Sequence, residues 1–250
     1  MDSVRVAAMG DLHCKKSAAG ELRPIFEAVN RAADVLLLCG DLTDYGLPEE
    51  AEVLAGDIHA ALRVPVLAVL GNHDCESDRE QELKDILAHV GVAVLDGESR
   101  ELHGVGFAGV KGFAGGFGDR MLGPWGEKAI KDFVREAVNE ALKLEAALGH
   151  LASPHRIAFL HYAPIEQTVS GESPVVFPFL GSSRLEDPLN RYGVAAVFHG
   201  HAHHGEPEGR TSANVPVFNV CLPLLRERFP DRPPFRVVEV RAAAAERVPA

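Results

Sequence analysis

Short apolar runs recur along the chain, and each ends in a polar cluster. Residues 4–9, 35–39, 66–70, 157–160 and 194–198 read as buried strands. Stretches with helical spacing separate the first of them. Residues 22–31 set Ile25, Val29 and Ala32 on one side, with Pro24 near the start. A second helix opens at Pro48 and runs towards Leu62. Ser77 and Glu80 have capping-box spacing ahead of a third, whose apolar face is Leu83, Ile86, Leu87 and Val90.

Further along, residues 92–95 and 105–110 read as strands around a turn at Asp96-Gly97. Residues 111–126 are rich in glycine and aromatics and read as a loop. One reading makes that loop a mobile rim over a substrate. The other packs Phe113, Phe117 and Trp125 into the core. Residues 127–148 form the longest helix, with Ile130, Phe133, Val134, Ala137, Val138 and Ala141 as its stripe. Packing on a sheet is the simplest use of that stripe, and a homodimer contact the second. Residues 165–182 look irregular, and the stretch 168–183 is the better candidate for a substrate-facing lip. Ser183 and Glu186 make a second capping box for a helix to Tyr192. Strands follow at 215–220 and 235–240, and a frayed tail is expected at 242–245. Strand and helix alternate and then give way to strands, which predicts an α/β fold in one domain spanning 1–250.

Charge narrows the partners. With 25 basic against 36 acidic side chains the net charge is −11, which argues against a broad nucleic-acid or anionic-membrane surface. A phosphate substrate is compatible, because bound metal reverses the sign locally. The cysteines Cys14, Cys39, Cys75 and Cys221 form no CxxC pair, so reduced thiols and a cytoplasmic location are expected. Nothing reads as a signal peptide or a membrane span.

The polar clusters carry the chemistry. They are Asp11 with His13, Asp41, Asn72 with His73, His161, and His201 with His203, each after an apolar run. Residues two apart point the same way in an extended chain, so Asp11 with His13, and His201 with His203, can each address one point if extended. Glycine stands before the polar group at Gly10, Gly40, Gly71 and Gly200. Leaving His73 aside, the set holds two aspartates, one asparagine and four histidines. Mixed oxygen and imidazole donors suit Mn²⁺, Fe or Zn²⁺ better than Mg²⁺ or Ca²⁺. Seven donors exceed what one ion with an open position takes, but suit two ions sharing a carboxylate.

The series GD-x-H, GD-x-x-D, GNHD, a lone histidine after a strand, and GH-x-H resembles the calcineurin-like metallophosphoesterases, in family order from Asp11 to His203. The resemblance implies a four-layer α/β/β/α sandwich with the site at the strand ends. It implies that Asp11, His13 and His203 bind one metal, that Asn72, His161 and His201 bind another, and that Asp41 bridges them. His73 would be the catalytic histidine and Asp74 its orienting partner. The implied activity is hydrolysis of a phosphomonoester or phosphodiester by a metal-bridging hydroxide. Two divalent ions are implied, with Mn²⁺ preferred and Fe or Zn²⁺ as alternatives, and a small soluble substrate.

Taken singly, Asp11 and Asp41 read as turn or cap residues and His161 as a packed histidine. Their joint occurrence favours the site. Asp44 has two readings, a ligand-orienting group and a turn cap. His199 reads as support for the fold or the ligands, and His204 lies just past the motif. His59, His89, His103, His150 and His155 are expected at the surface. A rival of another class is a non-catalytic scaffold on the same fold, but such a chain would be expected to have lost ligands.

Overall fold

A computed structural model describes residues 3–242. In chain order the elements are β1 (Ser3–Met9), α1 (Arg23–Ala32), β2 (Val35–Cys39), α2 (Pro48–Ala61), β3 (Val66–Val69), α3 (Glu80–His89) and β4 (Val92–Val94). Then come β5 (Glu98–Leu102), β6 (Val105–Val110), α4 (Lys128–Gly149), β7 (Arg156–Leu160), α5 (Phe177–Leu180), α6 (Glu186–Tyr192) and β8 (Ala196–His199). The chain closes with β9 (Glu208–Arg210), β10 (Pro216–Asn219), α7 (Leu222–Arg228) and β11 (Arg236–Arg241).

Two mixed sheets result, ordered β11-β1-β2-β3-β4 and β5-β6-β7-β8-β10-β9. β1 to β4 run parallel, as do β6, β7, β8 and β10. The sheets face each other across Val35, Leu37, Leu67, Phe107, Phe159 and Phe198. The outer face of the first sheet packs on α1, α2 and α3 through Phe26, Leu36, Leu38 and Leu54. The outer face of the second packs on α4 and α6 through Leu144, Leu148, Leu160 and Leu189. Burial on both faces explains why β2 reads as continuous VLLLC rather than alternating. The four layers are those expected.

Several local expectations are corrected. Asp96-Gly97 is where the chain leaves the first sheet, not a hairpin turn between paired strands. β4 pairs with β3, while β6 pairs with β5 and β7. The β5 sequence ESREL hides an edge strand because it carries charges on both faces. The hairpin turns instead at His103 and Gly104, both at positive φ. Neither capping box forms. Ser77 Oγ donates to the Gly46 carbonyl, and Glu186 accepts from the Ser212 amide. In α4, Ile130 and Val138 are exposed, and the buried stripe is Val134, Ala137, Leu144 and Leu148. Phe117 is buried and Phe113 half-buried, but Trp125 is 68% exposed. The tail expectation at 243–245 lies outside the described residues. Cys14, Cys39, Cys75 and Cys221 are free thiols. Among the described residues no helix is long and apolar enough to cross a membrane.

Candidate metal centre

The ends of β1, β2 and β3 in one sheet, and of β7 and β8 in the other, open on the same side. Backbone bonds join the loop after β1 to that after β2, and the loop after β7 to that after β8. Asp11 N donates to Gly40 O (2.9 Å), His13 N to Asp41 O (3.0 Å) and Gly200 N to His161 O (3.1 Å). Gly10 stitches the sheets together by donating to Val220 O and accepting from Leu222 N, each at 2.9 Å.

The extended geometry expected for the paired residues is not what brings them together. Asp11 (φ 57°), His13 (φ 43°), Asp41 (φ 47°) and His201 (φ 72°) all sit in the left-handed region. Each such residue costs about 1–3 kcal/mol and persists only where its surroundings impose it, commonly at functional sites. The preceding glycines make room for this crowding. A Cβ on Gly71 would lie 2.1 Å from Asp41 Oδ1, and one on Gly200 would lie 2.4 Å from Asp11 Oδ2.

Single ligand atoms of Asp11, His13 and His203 lie within 4.8 Å of one another, as do those of Asp41, His161 and His201. Asn72 joins the second group, with Oδ1 2.9 Å from His161 Nε2. A third group, His13, Asp41 and His73, overlaps both.

The hydrogen bonds fix which atoms are free. A carbonyl can only accept, so His161 Nδ1–H donates to Cys39 O at 3.0 Å. That leaves the His161 Nε2 lone pair aimed at Asn72 Oδ1 and, at 3.4 Å, at Asp41 Oδ1. His201 Nε2–H donates to Phe179 O at 3.1 Å, which frees Nδ1. On the other side His13 Nε2 faces His203 Nε2 at 3.5 Å, and His203 Nε2 lies 3.0 Å from Asp11 Oδ1.

Lone pairs pointed at lone pairs repel unless a positive centre lies between them. Asp11 and Asp41 are each 1% exposed, and among the described residues their ionic partners are histidines alone. Burial drives Asp41 up, helped by the charges of Asp11 and Asp74. Burial also raises Asp11, but the His203 hydrogen bond and His161 outweigh it and hold that carboxyl low. Burial lowers His13, His161 and His201, which favours the neutral ring that ligates metal. His203 is raised by its hydrogen bond to Asp11. This donor set fits divalent cations, which would relieve the repulsion.

His73 and Asp74 do not form the pair expected of them. Asp74 is fully buried, and its carboxylate accepts from Gly71 N (2.8 Å), Leu42 N (3.1 Å), Thr43 N (2.8 Å) and Thr43 Oγ1 (2.6 Å). It ties the loop after β3 to the loop after β2. The His73 ring is held by Asp44 instead, with Nδ1–H donating to Asp44 O at 2.7 Å. Asp44 also lies 3.7 Å from His13 Nδ1, so it serves both rings.

His199 is buried with Nδ1–H donating to Gly200 O (2.7 Å) and Nε2 2.8 Å from the Thr168 hydroxyl. Burial pushes it down to about 4, so the ring is neutral and braces the last loop. His59, His89, His103 and His150 are exposed, and His155 is partly so. The motifs gave no sign of Thr43 or Thr168, because a brace needs only one hydroxyl at one place in space.

The family model of calcineurin-like phosphoesterases matches residues 4–205. Among solved structures, the phosphopantetheinyl hydrolase of Mycobacterium tuberculosis superposes with TM-score 0.67 at 16% identity, covering 95% of this chain and 96% of that one. TT1561 of Thermus thermophilus gives 0.54 at 14% identity, covering 94% and 98%. GAP50, the anchor in the inner membrane complex of Plasmodium, gives 0.53 at 12%, covering 89% and 73%. No curated protein sequence matches significantly. The match spans most of the chain and includes all five loops of the centre, so the protein belongs to the calcineurin-like phosphoesterases.

Proposed function

We propose that this protein is a metal-dependent phosphoesterase that hydrolyses a phosphomonoester or phosphodiester of small molecular size. The observation that carries the reading is the convergence of His161 Nε2, Asn72 Oδ1 and Asp41 Oδ1, with Nδ1–H of His161 already held by the Cys39 carbonyl. Fold alone does not carry it, since a protein of this fold is an anchor in Plasmodium. The donor set supports catalysis over a scaffold role.

Asp11, His13 and His203 would hold one cation, Asn72, His161 and His201 a second, and Asp41 would lie between them. Two divalent cations, Mn²⁺ by preference with Fe or Zn²⁺ as alternatives, would supply charge stabilisation to the phosphoryl oxygens and acidify water. The protein's own part is to keep the donors fixed and the ligand rings neutral. The Cys39 and Phe179 carbonyls fix the orientation and tautomer of His161 and His201, and burial keeps both rings neutral.

His73 would handle a proton. With Nδ1–H committed to the Asp44 carbonyl, the proton it exchanges is the one on Nε2. In the imidazolium form Nε2–H would protonate the leaving oxygen or stabilise phosphoryl charge. The test is hydrolysis of p-nitrophenyl phosphate and bis(p-nitrophenyl) phosphate by Mn²⁺-loaded and by chelator-stripped protein. The panel should include a phosphopantetheinyl ester, the group named for the M. tuberculosis neighbour. Turnover restored by metal supports the proposal, and none from fully loaded protein on the whole panel refutes it.

A further inference from the structure

A line of aromatic rings leads outward from the metal centre. The His201 ring packs on Tyr162 with centroids 4.6 Å apart, and Tyr162 on Phe113 at 5.9 Å. Phe113 packs on Phe133 at 5.0 Å, and Phe133 on Phe179 at 6.5 Å. Cover thins along the line. Tyr162 is 7% exposed, Phe113 and Phe133 are half-buried, and Phe179 is 59% exposed.

An exposed phenylalanine is unremarked on most surfaces. This one differs because its own carbonyl holds the His201 ring. The backbone that carries the outermost ring is therefore held against the His201 ring. The same short segment exposes Val175 and Val176, so the apolar surface continues beyond the ring. Lys111 Nζ sits 5.0 Å from the Phe113 centroid and 5.4 Å from that of Tyr162, covering the inner rings and leaving the outer ones open.

We infer that Phe133 and Phe179 form a ledge that binds an apolar, aromatic group on the alcohol side of the phosphoester. The inference rests on the phosphoesterase reading and adds a substrate class to it. With the phosphoryl group at the cation-binding atoms, an alcohol group leaving on the His201 side lies along these rings. An aromatic group laid against the exposed Phe179 ring can make the offset or edge contact that gains beyond area burial.

The test compares phenyl phosphate with 2-naphthyl phosphate, whose leaving groups have similar acidity. A second fused ring adds on the order of 40 Å² of apolar surface, worth about a fivefold gain in kcat/KM if buried. The Mn²⁺-loaded wild type should show that preference, Phe179→Ser should lose it, and Phe179→Leu should keep part of it. Val138→Ser, on the solvent side of α4, should leave the ratio unchanged. A wild-type ratio near one, or a ratio unaltered by Phe179→Ser, overturns the ledge. Calorimetric binding of phenylphosphonate and 2-naphthylphosphonate reads the same preference without turnover. Hydrolysis of neither ester, with no turnover of the diester panel, would therefore count against the phosphoesterase reading, while equal phosphonate affinities would count against the ledge.

Discussion

Replacing Asp74 with asparagine separates two roles for the last residue of the GNHD motif. If Asp74 orients His73, the change should slow the reaction and leave the fold alone. The geometry predicts the reverse. Both carboxylate oxygens accept two bonds each, Oδ1 from Thr43 N and Thr43 Oγ1, Oδ2 from Gly71 N and Leu42 N. Burial pushes the Asp74 carboxyl up, yet three backbone N–H groups and the Thr43 hydroxyl point at it, so the anion is the form that fits. An asparagine amide turned towards Thr43 can still donate to the hydroxyl, which can accept, but it sets a donor against Thr43 N–H. Hydrogen bonds to a charged group are worth about 1.5–3 kcal/mol each, so losing that one costs about 1.5–3 kcal/mol. For a chain of this size that lowers the melting midpoint by at least about 3 °C. Thr43→Val removes one donor and should cost about 1–3 kcal/mol. The two changes should be less than additive in a double-mutant cycle, because both act on one carboxylate. Thermal and urea unfolding of the metal-free proteins provide the measurement. An Asp74→Asn variant as stable as wild type, with kcat reduced and its pH profile shifted, would refute this reasoning and restore the orienting role.

His73→Ala should keep its metal content and lose about 10²–10⁴-fold in rate on an alkyl or nucleoside ester. The loss should be smaller on the matched p-nitrophenyl ester, whose leaving group needs no proton. His199, held at about 4 in the fold by burial, binds fewer protons there than in the unfolded chain, where about 6.5 is usual. Its contribution is therefore intact above pH 6.5 and falls away as pH drops towards 4, by up to about 3 kcal/mol. Denaturant midpoints of metal-free wild type and His199→Gln across that window should diverge, with the shallower pH slope in the variant.

The strands that carry the centre were legible because burial on both faces leaves an unbroken apolar run, as at Val35–Cys39 and at residues 157–160. The residues to suspect were legible because each follows such a run. What the sequence hid was backbone conformation and brace chemistry. Nothing in Gly-Asp-Leu-His announces that Asp11 and His13 both take positive φ, because the crowding comes from Gly200 and the β2 loop, far off in the chain. Asp74 looked like a partner for its neighbour His73, but its carboxylate reaches back to residues 42 and 43. The charged β5 strand gave no apolar signal because it is an edge. Phe179 lay in a stretch that read as irregular, and its link to His201 runs through a backbone carbonyl, which no side-chain pattern records.

The central claim is that seven donors from five loops hold two divalent cations with Asp41 between them. Elemental analysis of Mn²⁺-loaded, dialysed protein at matched concentration tests it most directly. Wild type should carry two ions per chain, His203→Ala chiefly one, and Asp41→Asn should be depleted at both positions. Asp41→Asn retaining two ions would contradict the shared carboxylate, and wild type binding one or none would contradict the centre itself.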